Sequence, residues 1–365
     1  MNFSRRNLLA AGAILSLPGF ASSAFGSETI TVPSQTGDAA VPVDPKRLAV
    51  LDISILENLA YFGLSDRVVA SVTPGAVTWV KVPAGAKLIG GMKTIDIPAV
   101  KSMNPDLVFI SGRVARAIDE FRTAAPTVCL VPNYQTGAWQ SFEGNLRSLG
   151  RIFRKEKEAE AAVQAAKQRV DVIAKKAAGE KIAILMMVGG RIIVLPDNGR
   201  CSLLTNALGF SNVKPPRTGE APKKAAPKGN PPPKPTAAEI AAMNEKSFAE
   251  LAELKPSRIF VLNKDLAVGA KEPKLFADAV KGNAVWQGLD AVKAARVTEL
   301  TGPAWYLGEG GVESMSRMLG DVERRSASKT LSLSFFKSHF LEPPADADGS
   351  FFTFSISKKS LRPTS

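Results

Sequence analysis

From Arg47 onward the chain alternates between short apolar runs and longer amphipathic ones, and this alternation restricts the fold more than any other feature. The runs "RLAVLD", "RVVASV", "DLVFISG" and "TVCLVP" are short and apolar on both faces, the pattern of strands in a parallel sheet covered by helices. Between them, "ISILENLAYFGL", "IDIPAVKSM" and "RAIDEFRTA" read as helices. A longer helical stretch runs from about Trp139 to Ala178, with Phe142, Leu146, Leu149, Ile152 and Phe153 on one face and Val163, Val170 and Ile173 continuing the spacing. The alternation then resumes with strands "KIAILMMVGG", "RIIVLP", "RIFVLN" and "RVTEL", helices "SLLTNALG", "SFAELAEL" and "KLFADAVK", and a last helix from about Gly311 to Val322. The pattern predicts an α/β chain of two Rossmann-like lobes, residues 27–140 and 181–323, joined by one long interlobe helix over 141–180.

Three segments lie outside this pattern. Residues 1–26 have a basic start (Arg5, Arg6), an apolar centre from Leu8 to Leu17 and small residues at Ala24 and Gly26, the features of a cleaved export signal. The centre is shorter than the roughly 20 residues that span a bilayer. Ser4, Arg5 and Arg6 with Leu8 and Leu9 resemble a twin-arginine signal, and no cysteine follows to take a lipid, so a soluble periplasmic protein is expected. Residues 214–235 hold eight prolines and no bulky apolar side chain, which predicts an extended insertion. Residues 324–365 show no periodic element and read as a disordered tail.

These segments also carry the charge. The chain has a formal charge of +13, of which residues 1–26 hold +2, residues 214–235 hold +5 and residues 324–365 hold +4. The body is nearly neutral, so a nucleic-acid partner loses its main support. Cys129 and Cys201 fall in different lobes and are expected to be free buried thiols, and the single histidine, His339, lies in the tail, which disfavours a Cys/His metal site.

Cations recur where strands end. Ligands of open α/β sheets bind outside the carboxyl ends of the strands. "NPDLVFISGR" (104–113) and "KPSRIFVLNK" (255–264) both run proline, apolar strand, cation, so Arg113 and Lys264 hold equivalent positions in the two halves. Arg200, in "LPDNGRCSLL", also lies between a strand and a helix. The three define a candidate site for an anion.

In order and spacing, "VDPKRLAVLD", "LIGGMKTIDIPAVKSMNPDLVFISGR", "APTV", "SFEGNLRSLGRIF", "GGRIIVLPDNGRCSLLTNALGF", "SFAELAELKPSRIFVLN" and "NAVWQGLDAVKAARVTELTGPAWYLGEGGVES" resemble the periplasmic ferric-siderophore binding proteins of bacterial ABC importers, most closely the catecholate branch. The resemblance runs from about Val41 to Val322. It implies two lobes bridged by a long helix, little hinge movement and a shallow cleft in which three arginines grip the anionic iron complex. Those arginines match Arg113, Arg200 and Lys264. A tyrosine that completes the iron shell in some relatives matches Tyr306, which could instead stack on a catechol ring, as could Trp305 and Trp79. The accompanying histidine is absent, with Asn244 nearest its place. The glutamates that dock relatives onto the permease fall on Pro98 and Ala249, with Asp96 and Glu250 beside them.

The resemblance thus implies a monomeric carrier, not an enzyme, with no permanent cofactor and two partners: a ferric siderophore and an inner-membrane ABC permease. Haem or cobalamin are alternative ligands of the same architecture. A periplasmic hydrolase of anionic substrates is disfavoured by the lack of a phosphate cradle, a G-x-S-x-G elbow and a triad histidine. A metal chaperone with histidine ligands is disfavoured in the same way.

Overall fold

The structure is a computed structural model that describes residues 28–197, 199–216 and 234–324. It opens with an antiparallel hairpin of β1 (Thr29–Val32) and β2 (Ala39–Pro42). Strand β3 (Leu48–Leu51) follows, buried at every residue, and α1 (Ile53–Tyr61) starts where the Asp52 carboxylate accepts the N–H groups of Ser54 and Ile55. Then come β4 (Val68–Ser71), β5 (Lys87–Leu88), a small hairpin of β6 (Gly90–Gly91) and β7 (Thr94–Ile95), α2 (Ile97–Ser102), β8 (Leu107–Ile110), α3 (Ile118–Arg122) and β9 (Thr127–Val128). The first lobe is a parallel sheet in the order β5-β4-β3-β8-β9.

The stretch read as one helix is two. Helix α4 (Ala138–Phe153) ends where Arg154 turns left-handed at φ 55°, and α5 (Glu156–Ala177) starts anew. The apolar spacing runs on across the break because Phe142, Leu146, Leu149 and Ile152 of α4 and Val163, Val170 and Ile173 of α5 face the same core. The helices touch closely at Gly150, where a Cβ would lie 2.9 Å from that of Ala159. Helix α5 is the longer of the two and leads into the second sheet.

The second lobe contains β10 (Lys181–Val188), β11 (Arg191–Leu195), α6 (Leu203–Asn206), β12 (Ser211–Asn212), α7 (Ala237–Leu254) and β13 (Arg258–Asn263). It continues with α8 (Lys264–Ala267), α9 (Phe276–Val280), α10 (Ala284–Gly288), α11 (Asp290–Lys293), β14 (Val297–Glu299), α12 (Gly302–Tyr306) and α13 (Val312–Glu323). Its sheet runs β11-β10-β13-β14, with β12 also on β10. Strand β11 is antiparallel to β10, unlike the rest, because only Gly189 and Gly190 separate the two and both take the positive φ that a tight hairpin needs. Helix α7 begins well before "SFAELAEL": Thr236 and Glu239 form a reciprocal capping box at its start.

One core is common to both lobes. Val50 and Phe109 of the first sheet, Ile184, Phe260 and Leu262 of the second, and the inner faces of α4, α5 and α13 form a single buried cluster, while each sheet has a smaller core on its other face. Hydrogen bonds cross the junction as well. Helix α1 of the first lobe caps α13 of the second: Val312 N–H donates to Asn58 Oδ1 (3.0 Å), Ser314 N–H to Glu57 Oε1 (2.6 Å), and Asn58 Nδ2 to the Gly310 carbonyl (3.1 Å). A Cβ at Gly311 would lie 2.2 Å from Glu57 Oε1, so a side chain there would displace the carboxylate that caps α13.

Cys129 and Cys201 are free and buried, and burial pushes the Cys129 thiol up to about 12. The export signal, residues 217–233 of the insertion, the tail beyond Arg324 and His339 lie outside the described residues. Among the described residues no helix is long and apolar enough to cross a membrane.

Candidate ligand-binding site

Arg113 follows β8 at the carboxyl edge of the first sheet, and Arg200 follows β11 in the second lobe; both are half-buried. They meet at Tyr306, the last residue of α12. Arg113 Nη2 donates to the Tyr306 carbonyl at 3.1 Å, and Arg200 Nη1 lies 3.3 Å from the Trp305 carbonyl and 3.4 Å from that of Tyr306. Their guanidinium carbons lie 5.6 and 4.3 Å from the centre of the Tyr306 ring, within cation–π range. Two cations that would otherwise repel are thus held together by carbonyl dipoles and one aromatic ring. Tyr306 is half-buried, and its hydroxyl donates to no described residue.

Lys264 opens α8 directly at the end of β13. It is half-buried and forms no ion pair with a described residue. No hydrogen bond joins it to the arginines, but α8 packs tightly on α12: a Cβ on Gly302 would lie 3.0 Å from that of Ala267. The third cation therefore stands on the helix next to the one that carries Tyr306.

Of the two tryptophans that the sequence suggested as ligand contacts, Trp305 is excluded and Trp79 has partners within the fold. Trp305 is fully buried and its indole N–H donates to Asp321 Oδ2 at 2.8 Å, so its ring is part of the core and cannot stack on a ligand. Asp321 also accepts the N–H and hydroxyl of Thr301, and so fixes both ends of α12. Trp79 is half-buried, donates to Glu57 Oε2 at 3.0 Å and has the Arg317 guanidinium 4.2 Å from its ring centre. It belongs to the α1–α13 junction. Asn244 is buried too: its amide accepts from Ile192 N–H and donates to the Gly190 carbonyl, which ties α7 to the β10–β11 hairpin.

Sequence reading missed two members of the site. Tyr134, in the loop after β9, donates to Glu309 Oε2, and that oxygen lies 3.7 Å from Arg200 Nη1. Burial raises the Glu309 carboxyl above the usual carboxylate range, opposed by Arg200 and Tyr134. Burial also opposes the charge of Arg200, but its surroundings, the Glu309 carboxyl among them, outweigh it and the guanidinium stays charged. Tyr134 is held as a neutral phenol, by burial first and by Glu309 second. A signal existed for it, since Tyr134 also follows a strand of the first sheet. Burial raises the carboxyl of Asp52, opposed by its hydrogen bond from Ser54 and by the charge of Arg113. Among the described residues no group of three or more metal-ligating side chains occurs.

Two α/β lobes with a shared core, a long connecting helix and a cation-bearing junction at the strand ends are the architecture of a ligand-binding protein family. The chain belongs to the periplasmic binding protein family, whose pattern matches residues 48–304. It is 27% identical over 319 residues to the petrobactin-binding protein YclQ of Bacillus subtilis, covering 82% of this chain and 90% of that protein. The crystal structure of YclQ superposes with a TM-score of 0.68 at 24% identity, over 83% of this chain and 100% of that one. The periplasmic catecholate-siderophore binding protein VctP of Vibrio cholerae gives a TM-score of 0.67 at 21% identity, over 81% and 99%. BauB, a siderophore binding protein solved with two molecules of acinetobactin and ferric iron, gives 0.65 at 20% identity, over 82% and 98%.

Proposed function

We propose that this chain captures an anionic ferric siderophore of the catecholate type between its lobes and delivers it to an inner-membrane ABC permease, as a periplasmic carrier and not a catalyst. The observation that carries this reading is the convergence of Arg113 from one lobe and Arg200 from the other on Tyr306, with Lys264 on the adjoining helix. A ferric tris-catecholate bears three negative charges on phenolate oxygens, and guanidinium groups meet such oxygens with planar, charge-assisted hydrogen bonds. Lys264 contributes charge without that fork. Iron already surrounded by six ligand oxygens needs no donor from the protein, so Tyr306 acts as the platform for the arginines. The catecholate and petrobactin ligands named for VctP and YclQ support the same ligand class.

For the permease, Asp96 and Glu250 are the docking carboxylates of this reading. Asp96 is exposed and caps α2, and Glu250 pairs with Lys214 at 2.6 Å. Each edges a surface depression, one on each lobe: Asp96 with Lys87 and Thr94, Glu250 with Arg191 and Lys246.

The test is a fluorescence titration of the exported chain with a ferric catecholate, its iron-free form, haem and cobalamin at two salt concentrations, corrected for light absorbed by the ligand. Saturable sub-micromolar binding of the ferric catecholate, weakened by salt and absent for the iron-free form, is expected. Preference for haem or cobalamin would keep the fold and overturn the ligand.

A further inference from the structure

Four carboxylates are buried among the described residues: Asp52, Glu57, Glu309 and Asp321. Three of them serve the fold, because each accepts a backbone N–H: Asp52 from Ser54, Glu57 from Ser314 and Asp321 from Thr301. Glu309 accepts none. Its Oε2 meets the Tyr134 hydroxyl and faces Arg200 at 3.7 Å, while its Oε1 is buried with no hydrogen-bond partner among the described residues. Leaving a buried carboxylate so poorly satisfied disfavours the folded state, and no helix end or turn is held in return. The groups around it are a tyrosine and an arginine of the ligand site, together with the buried Cys201 thiol.

From this we infer that Glu309 sets the charge that the cleft presents, offsetting part of the field of Arg200 and so tuning the site to the charge of its ligand. The inference rests on the anion-binding reading above. Three unopposed cations would hold a trianion most tightly, and a carrier that hands its cargo on is limited by how slowly it releases it. Ionised, the state that the neighbouring Arg200 favours, Glu309 lowers the net charge of the group by one, and its effect on a ligand grows with the ligand's own charge. Tyr134 is the positioning residue for this device. By holding Oε2 it keeps the carboxylate from closing on the guanidinium, which donates instead to the carbonyls of Trp305 and Tyr306 and stays available. Because Tyr134 comes from the first lobe and Glu309 from the second, the contact also spans the cleft.

The experiment compares the full chain with Glu309→Gln, Glu309→Asp, Tyr134→Phe and the remote control Glu160→Gln, an exposed carboxylate on α5 that pairs with Arg147. Each is titrated with ferric tris-catecholate (charge −3) and ferric bis-catecholate (charge −1), with circular dichroism to confirm folding. Glu309→Gln is expected to raise affinity for the tris complex roughly tenfold and for the bis complex only about twofold, a difference that shrinks with salt. Glu309→Asp should keep the wild-type ratio, and Tyr134→Phe should lower affinity for the tris complex by freeing the carboxylate to pair with Arg200. Saturable wild-type binding with a ratio unchanged in Glu309→Gln, or changed equally in Glu160→Gln, overturns the assignment of Glu309 alone. No wild-type binding of either complex overturns the anion-binding reading and this inference with it. If Glu309→Gln does not fold, an affinity that does not fall in Tyr134→Phe overturns the inference by itself.

Discussion

Arg113 and Arg200 are the residues on which the reading depends most. Removing a charged hydrogen-bond partner usually weakens binding by about 1.5–3 kcal/mol, so Arg113→Ala and Arg200→Ala should each reduce affinity for a ferric catecholate by roughly tenfold to a hundredfold. Trp286 provides the contrast. It is buried against Phe248 and Phe276, with ring centres 5.9 and 5.3 Å away, so Trp286→Ala should lower stability by about 3–5 kcal/mol and leave the affinity of the folded fraction intact. Equal losses of affinity in all three variants would show that the arginines do not line the site. At Tyr306 the ring and carbonyl engage the arginines while the hydroxyl has no described partner, so Tyr306→Phe should retain most of the affinity. A large loss accompanied by loss of a visible phenolate-to-iron absorption band would instead make Tyr306 an iron ligand. The sequence placed Arg113, Arg200 and Lys264 because a cation at a strand end is a local signal. It misplaced Trp305, which neighbours Tyr306 in the chain but points the other way along α12, into the core.

Among the elements, the α1–α13 contact decides how the lobes are held. Glu57 is buried, and its carboxyl is raised by that burial against the opposing hydrogen bonds from Ser314 and Trp79. Since the folded chain then binds this proton more tightly than the unfolded one, the group's contribution to stability falls as pH rises from the unfolded carboxylate value, about 4.3, to the raised folded value. Glu57→Gln should flatten that part of the stability profile in urea titrations at successive pH values. An unchanged slope would assign it to Asp52, Glu309 or Asp321, whose carboxyls are also raised by burial. None of this was legible beforehand. The helix pattern of α13 could be read from its spacing, but the groups that cap it stand more than 250 residues earlier, on α1.

At the scale of the whole molecule, the continuous core and the caps that cross the junction favour a carrier whose lobes move little against one another. The insertion should matter little to capture. Replacing residues 217–233 with a short glycine-serine linker keeps Lys214, which pairs with Glu250, and Thr236, which caps α7, and should leave ferric catecholate affinity within about twofold. A loss of tenfold or more would make the lysine-rich segment part of the ligand site.

The sequence by itself determined the α/β alternation, the two lobes, the long connector and the cations at the strand ends, because strand and helix periods and strand-end positions are properties of neighbouring residues. It ran past the break at Arg154, since two helices that face one core keep a common apolar spacing. Only the tertiary structure decided that Arg113 and Arg200 share Tyr306, that Trp305 is core and that Glu309 meets Tyr134 from 175 residues away. Those facts depend on how the lobes pack, and a buried carboxylate and a distant phenol leave no mark on the residues beside them.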